Sequence, residues 1–112
     1  MKPPHADKAE VGREKIVDYL LNPAHPDNAG KAPFFVGFGF RREDWPVLAG
    51  ALCRLAAQGD VAFGMESPHG RKYILDGRLE TPGGKTPLVR TIWIIDQGQV
   101  APRLVTAYPR AE

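Results

Sequence analysis

The chain lacks several things, and each absence narrows its function. It has one cysteine, Cys53, in 112 residues. No disulfide can form within it, and the fold does not depend on oxidation. No apolar run approaches the roughly 20 residues of a membrane span, and the start Met1-Lys2-Pro3-Pro4-His5 has no signal-peptide hydrophobic stretch. The expectation is a cytoplasmic protein with no membrane association, or a domain cut from something longer. The three histidines, His5, His25 and His69, are scattered; with one cysteine they give no metal-ligand spacing, so neither a metal nor another cofactor is expected. Gly37-Phe38-Gly39 lacks the third glycine and the preceding strand of a dinucleotide site. Gly83-Gly84-Lys85-Thr86 lacks the upstream glycine and following helix of a phosphate loop and reads as a hairpin turn. No Gly-x-Ser-x-Gly elbow or Cys/His nucleophile arrangement is present.

What remains is ordinary for a single globular domain: 43% hydrophobic residues, 25% charged and a net charge of +2. The charge is unevenly placed. Residues 1–69 hold 8 Lys and Arg against 9 Asp and Glu, whereas residues 70–112 hold 7 against 4. A basic C-terminal part suits a polyanion, because phosphate contacts dominate nucleic-acid affinity.

Periodicity divides the chain into a helical front and a strand-rich back. Residues 1–9, with two prolines and few apolar groups, read as a loose tail, and residues 10–112 as one domain. Ile16, Tyr19 and Leu20 fit a helix over residues 10–21, which Pro23 stops at Asn22. Asn28 reads as the N-cap of a short helix bearing Phe34, Phe35 and Phe38, with Pro33 tolerable only in its first turn. A third helix, residues 44–58, buries the stripe Trp45, Leu48, Leu52 and Leu55; Pro46 falls in its first turn, Gly59 suits its C-terminal cap, and Cys53 sits beside the stripe as a small buried hydrophobe. Val61–Met65, Arg71–Leu79, Leu88–Ile95 and Arg103–Tyr108 read as strands separated by Gly- and Pro-containing turns. Short links imply an antiparallel meander. The expected class is α+β, with two or three N-terminal helices packed on a four-stranded antiparallel sheet.

The strings Asn22-Pro23-Ala24-His25-Pro26 with Gly30-Lys31-Ala32, and Arg90-Thr91-Ile92-Trp93 with Thr106-Ala107-Tyr108-Pro109, supply an imidazole, an ammonium, a guanidinium, hydroxyls and a phenol. Metal-free RNA cleavage moves a proton off a ribose 2′-hydroxyl, delivers one to the leaving 5′-oxygen and stabilises charge on the phosphorus centre. Histidine suits the proton steps; fixed cations and hydrogen-bond donors suit the charge. His25 is the candidate acid or base. Lys31 is a phosphate contact at a helix start, and Arg90 a bidentate one. Thr106 and Tyr108 are donors, with Tyr108 able to stack on a base. Alternation puts Leu104, Thr106 and Tyr108 on one face of the last strand, and Arg103, Val105 and Ala107 on the other. Each role has a structural competitor: Arg90 pairing with Asp76 or Glu80 across the sheet, Tyr108 and Thr106 as ordinary strand residues, Lys31 solvated, Trp93 in the core.

The strings Tyr19-Leu20-Leu21-Asn22-Pro23, His25-Pro26, Gly30-Lys31-Ala32, Phe34-Phe35, Gly39-Phe40, Lys72-Tyr73, Arg90-Thr91-Ile92-Trp93 and Thr106-Ala107-Tyr108-Pro109 resemble a small uncharacterised bacterial domain family. That family is found as short stand-alone proteins and at the ends of large secreted toxins. The layout is similar, more distantly, to the barnase–EndoU–colicin–RelE group of metal-independent ribonucleases. The resemblance implies helices before a four-stranded sheet with a site on that sheet, RNA as substrate, and the roles given above for His25, Lys31, Arg90, Thr106 and Tyr108, with Lys72, Thr91 and Arg103 as secondary, substrate-binding candidates. The expected function is therefore a toxin-like endoribonuclease with a cognate antitoxin or immunity protein as partner. The alternatives are a non-catalytic protein-binding module of a toxin–antitoxin or toxin–immunity pair, and an RNA-binding domain without cleavage.

Overall fold

The computed structural model describes residues 4–111. It is an α+β fold, with three helices packed on one face of a four-stranded antiparallel sheet. Helix α1 begins as an α-turn, Arg13–Lys15, and continues as a π turn, Ile16–Leu20, closed by the Leu21 N–H donating to the Ile16 carbonyl at 2.8 Å. Helix α2 is Lys31–Gly37 and α3 is Trp45–Gln58. Strands β1 (Asp60–Ser67), β2 (Gly70–Arg78), β3 (Leu88–Asp96) and β4 (Arg103–Pro109) form a meander in the order β1-β2-β3-β4. The loose tail expected over residues 1–9 falls partly on residues 1–3, outside the described residues. Ala6–Lys8 form a 3₁₀ turn, and Glu10 bridges to Arg103 at the outer edge of β4.

The helix stripes build the core. Ile16 and Leu20 from α1, Phe35 from α2, and Leu48, Leu52 and Leu55 from α3 meet Tyr73, Leu75, Val89, Trp93, Leu104 and Ala107 of the sheet. Trp93 and Thr91 are fully buried, and the indole N–H donates to the Thr91 hydroxyl at 2.8 Å while that hydroxyl donates to the Leu75 carbonyl at 3.1 Å. Burial of this much apolar surface is the main stabilising term, at about 25 cal/mol per Å². Cys53 is only half-buried, and its thiol donates to the Ala9 carbonyl at 3.4 Å. Burial pushes that thiol above its ordinary value, against a smaller pull from Arg54.

Two glycines carry requirements of different kinds. Gly59 ends α3 in an extended conformation, not the left-handed one expected of a C-terminal cap. The Leu55 carbonyl oxygen lies 2.8 Å from where a Cβ would stand, so close approach is what selects glycine there. At Gly70, in the β1–β2 turn, φ is +149° and a Cβ would sit 2.2 Å from the Ile95 carbonyl oxygen.

Strand alternation holds in the inner strands and breaks in the outer two. In β4 the pairing runs Thr91 with Ala107, Ile92 with Thr106, then Trp93 with Leu104. Val105 is the extra residue of a bulge. Leu104 therefore turns into the core, whereas Thr106 and Tyr108 point to the opposite, open face with Arg103. This corrects the shared face expected for Leu104, Thr106 and Tyr108: a one-residue bulge inverts alternation beyond it. A second bulge, at Ala62 between Val61 and Phe63, does the same in β1.

Candidate functional site

The open face of the sheet is ordered in rows that follow from the strand registers. One row runs Asp60, Asp76, Arg90, Tyr108; the next runs Phe63, Ile74, Ile92, Thr106; a third runs Met65, Lys72, Ile94, Arg103. Arg90 and Tyr108 are direct partners across β3 and β4. Asp76 takes Arg90 in a bidentate pair, Nε to Oδ1 at 2.8 Å and Nη2 to Oδ2 at 2.9 Å, with Arg110 on the same carboxylate at 3.4 Å. The Asp76 carboxyl is held below its ordinary value, first by the Arg90 hydrogen bond. The Arg90 guanidinium is raised further above its own, with Tyr108 as a second hydrogen-bonding neighbour after Asp76. Asp60 stands opposite Asp76 across β1 and β2, so the row holds two guanidiniums and two carboxylates, and the Arg90 side chain is 18% accessible.

The second group of side chains stands at the edge of β4, around Tyr19. The Tyr19 and Thr106 hydroxyls are 2.8 Å apart. The His25 ring meets the Tyr19 ring edge-on at 4.9 Å between centroids. The ammonium groups of Lys15 and Lys31 lie 5.4 and 5.5 Å from its centre, a favourable arrangement for a cation and an aromatic ring. A cleft of about 550 Å³ opens here, lined by Glu14, Lys15, Asp18, Tyr19, His25, Asp27, Val105 and Thr106. Two one-residue irregularities face each other across it: the π turn that carries Tyr19 and the bulge that carries Thr106. π turns and bulges of this kind recur at functional sites.

Asn28 fixes the loop that carries His25. It is 2% exposed. Its side-chain amide donates to the Tyr19 carbonyl at 2.6 Å and the Leu20 carbonyl at 3.2 Å, and its Oδ1 accepts the Ala32 N–H at 2.9 Å. One side chain thus closes the end of α1 and the start of α2 together, serving both sets of orphan groups. The helix itself starts after Gly30, with Pro33 in its first turn. His25 Nδ1 accepts the Asp27 N–H at 3.0 Å, so the neutral ring carries its proton on Nε2. Lys31 Nζ donates to the Asp27 and Asn28 carbonyls at 3.2 and 3.3 Å.

The structure thus brings the candidates together in two groups: His25 and Lys31 around Tyr19, and Arg90 with Tyr108 around Asp76. Thr106 belongs to both, since it bonds Tyr19 and lies two residues from Tyr108 on the same strand face. Lys72 is on the open face, two rows from Arg90. Arg103 is bound bidentately by Asp96, at 2.7 and 3.0 Å. Thr91 is corrected: its fully buried hydroxyl is committed to Trp93 and Leu75, so it cannot meet a ligand. Tyr19 and Lys15 were missed. Their i, i+4 spacing on one helix was visible, but Tyr19 also belongs to the apolar stripe with Ile16 and Leu20, and the hydroxyl at the stripe's border carries no sequence signal.

The chain belongs to a family described as a domain of unknown function, DUF6883, which matches residues 2–111. No curated protein matches it. Among solved structures, the fold is similar to a chain of a contact-dependent growth inhibition toxin–immunity protein complex from Klebsiella pneumoniae 342. The TM-score is 0.75 at 16% identity, covering 96% of this chain and 97% of that one. At that identity the likeness is one of fold. Among the described residues no helix is long and apolar enough to cross a membrane.

Proposed function

We propose that this member of the family is a toxin-type endoribonuclease that cleaves RNA by general acid–base and electrostatic catalysis, with a cognate immunity protein or antitoxin as its partner. The observation that carries the proposal is the 2.8 Å contact between the Tyr19 and Thr106 hydroxyls. It joins α1, whose Tyr19 ring meets that of His25, to the strand whose next open-face residue, Tyr108, is paired with Arg90. The fold neighbour, solved as a toxin–immunity protein complex, supports the same setting.

The roles follow from charge. Three carboxylates, Glu14, Asp18 and Asp27, rim the cleft beside Tyr19. The scissile phosphate is better held on the open face, where Lys72, Arg78, Arg90, Arg103 and Arg110 outnumber Asp60, Asp76 and Asp96. Arg90 stabilises the developing negative charge, a role in which one well-placed donor is worth about 10²- to 10³-fold in rate. Tyr108 donates beside it. The Thr106 and Tyr19 hydroxyls fix the ribose side of the scissile bond. His25 works through Nε2 as acid or base once its ring has released the Asp27 N–H, because the imidazolium that donates a proton carries one on Nδ1 as well, and the base needs Nε2 free. Lys31 and Lys15 flank Tyr19 and offset the acidic rim. Lys72 and Arg103 extend the phosphate track.

The test is cleavage of total RNA by the purified protein in chelator. The expected products carry 2′,3′-cyclic phosphate ends, and His25→Ala and Arg90→Ala each slow their formation by about 10²-fold or more. Expression arrests growth, and both variants relieve the arrest. If no RNA class is cut and both variants behave as the parent does, the proposal fails. The acidic rim favours a second reading, a non-catalytic protein-binding module of a toxin–immunity pair. Harmless expression together with a stable complex with a basic partner protein would identify it.

A further inference from the structure

We infer that the open face takes RNA as a single strand, with an unpaired base stacked on Phe63 while an adjoining phosphate lies against Arg90. The inference rests on the ribonuclease reading and extends it to the class of substrate.

Four observations support it. Phe63 and Met65, on edge strand β1, are each 45% exposed, and the register places both on the open face. The Arg90 guanidinium carbon lies over the Phe63 ring, 5.6 Å from its centre, so the cation proposed to hold phosphate covers one face of the ring and a base would stack on the other. Between Phe63 and Thr106 the row is filled by Ile74, 6% exposed, and the half-buried Ile92, apolar positions spanning about 14 Å at three strand spacings. By register and contact the same face carries Lys72, Arg78, Arg90, Arg103 and Arg110 against Asp60, Asp76 and Asp96, five cations to three carboxylates.

A half-exposed aromatic ring against a guanidinium, on a face with a cationic surplus, fits a base with its phosphate. It does not fit a duplex, whose base faces are hidden in the stack and which offers proteins its phosphates, 2′-hydroxyls and groove edges. Stacking on an aromatic side chain is also tolerant of sequence, because every base has a flat face. The substrate expected is thus a loop, tail or other unpaired stretch of RNA, engaged across β1 to β4.

The experiment uses the full chain bearing His25→Ala, so that binding is read without turnover. The probe is a short single-stranded RNA containing 2-aminopurine, compared with the same strand annealed to its complement. The expected result is tighter binding of the single strand, with its fluorescence quenched. Phe63→Ala and Phe63→Leu each weaken binding by about 10-fold and remove the quench; Phe63→Trp restores both. Phe63→Leu separates the flat ring from apolar packing, and the exposed position leaves the core untouched. Equal or tighter binding of the duplex, or an undiminished quench in Phe63→Leu, overturns the inference. The ribonuclease reading still stands in that case if the unsubstituted chain releases cyclic phosphate ends. Absence of both RNA binding and cleavage overturns the two together and leaves Phe63 and Met65 to a protein partner.

Discussion

Replacing Asn28 with alanine tests how the site is held together. The side chain makes three hydrogen bonds from a position 2% exposed, to the carbonyls of Tyr19 and Leu20 and the N–H of Ala32. Alanine removes all three partners and adds no new donor. Each such bond contributes about 0.5–1.5 kcal/mol net, and buried groups left without a partner cost more. The Tyr19 carbonyl keeps a second donor, the Asn22 N–H at 3.2 Å, which reduces the loss there. The expected destabilisation is therefore about 2–4 kcal/mol, a large share of the total for a domain of this size. Urea unfolding followed by far-UV circular dichroism reads it directly as a shift in midpoint at unchanged slope. Asn28→Asp is informative beside it: the carboxylate can still accept the Ala32 N–H, but it turns negative charge toward two carbonyl oxygens. It should be no more stable than the alanine variant at neutral pH and should recover as the carboxyl protonates in acid. The loop bearing His25 loosens in both, so activity falls even where the protein stays folded. A loss below about 1 kcal/mol in Asn28→Ala would refute the view that this amide joins α1 to α2.

Two further predictions concern the sheet. Asp76 is held below its ordinary carboxyl value by Arg90 and then Arg110, so its folded pKa lies below the unfolded one, about 3.9. Its contribution is thus fully present above pH 4 or so and lost as pH falls through the folded value. Asp76→Asn should cost about 1–2 kcal/mol at pH 7, and the gap between the two proteins should close below pH 4; a gap independent of pH would show that the pair is not the cause. Gly70→Ala should destabilise by about 2–4 kcal/mol, since a Cβ would stand 2.2 Å from the Ile95 carbonyl oxygen. Calorimetry giving an unchanged melting temperature would contradict that turn geometry.

Much of this architecture was legible in the residues. The four strands, the meander order and the α3 stripe followed from periodicity and from Gly and Pro turn signals, because each is a local pattern with a single solution. The extents of the N-terminal elements were less legible. Residues 10–21 read as one helix, but the structure begins it at Arg13 and turns it into a π turn, which no composition signal marks. Asn28 read as an N-cap, and the amide does accept an N–H of α2; its larger task, closing the end of α1, depends on a contact across eight or nine residues that spacing does not reveal. The site was legible in kind more than in arrangement. Alternation placed Thr106 and Tyr108 together, but which face they share depended on the bulge at Val105. The pairing of Arg90 with Asp76 was a stated competitor to a free phosphate contact; in the structure that pair holds Arg90 in place on the open face.

The π turn in α1 and the bulge in β4 have a consequence for insertions and deletions. Each takes up one extra residue while the residues on either side keep their places, so removing that residue would restore a regular element without turning its neighbours over. Taking one residue out of Ile16–Asp18 would convert the π turn to an α turn and keep Lys15 near its present side of Tyr19. Taking out Val105 would make Leu104 and Thr106 direct neighbours that alternate on the faces they already occupy. Removing the extra residue should therefore be tolerated better at these two places than removing a residue elsewhere in α1 or β4, where everything beyond the deletion would change face. Among chains that share this fold, single-residue length differences should collect at these two segments, even where sequence identity has faded.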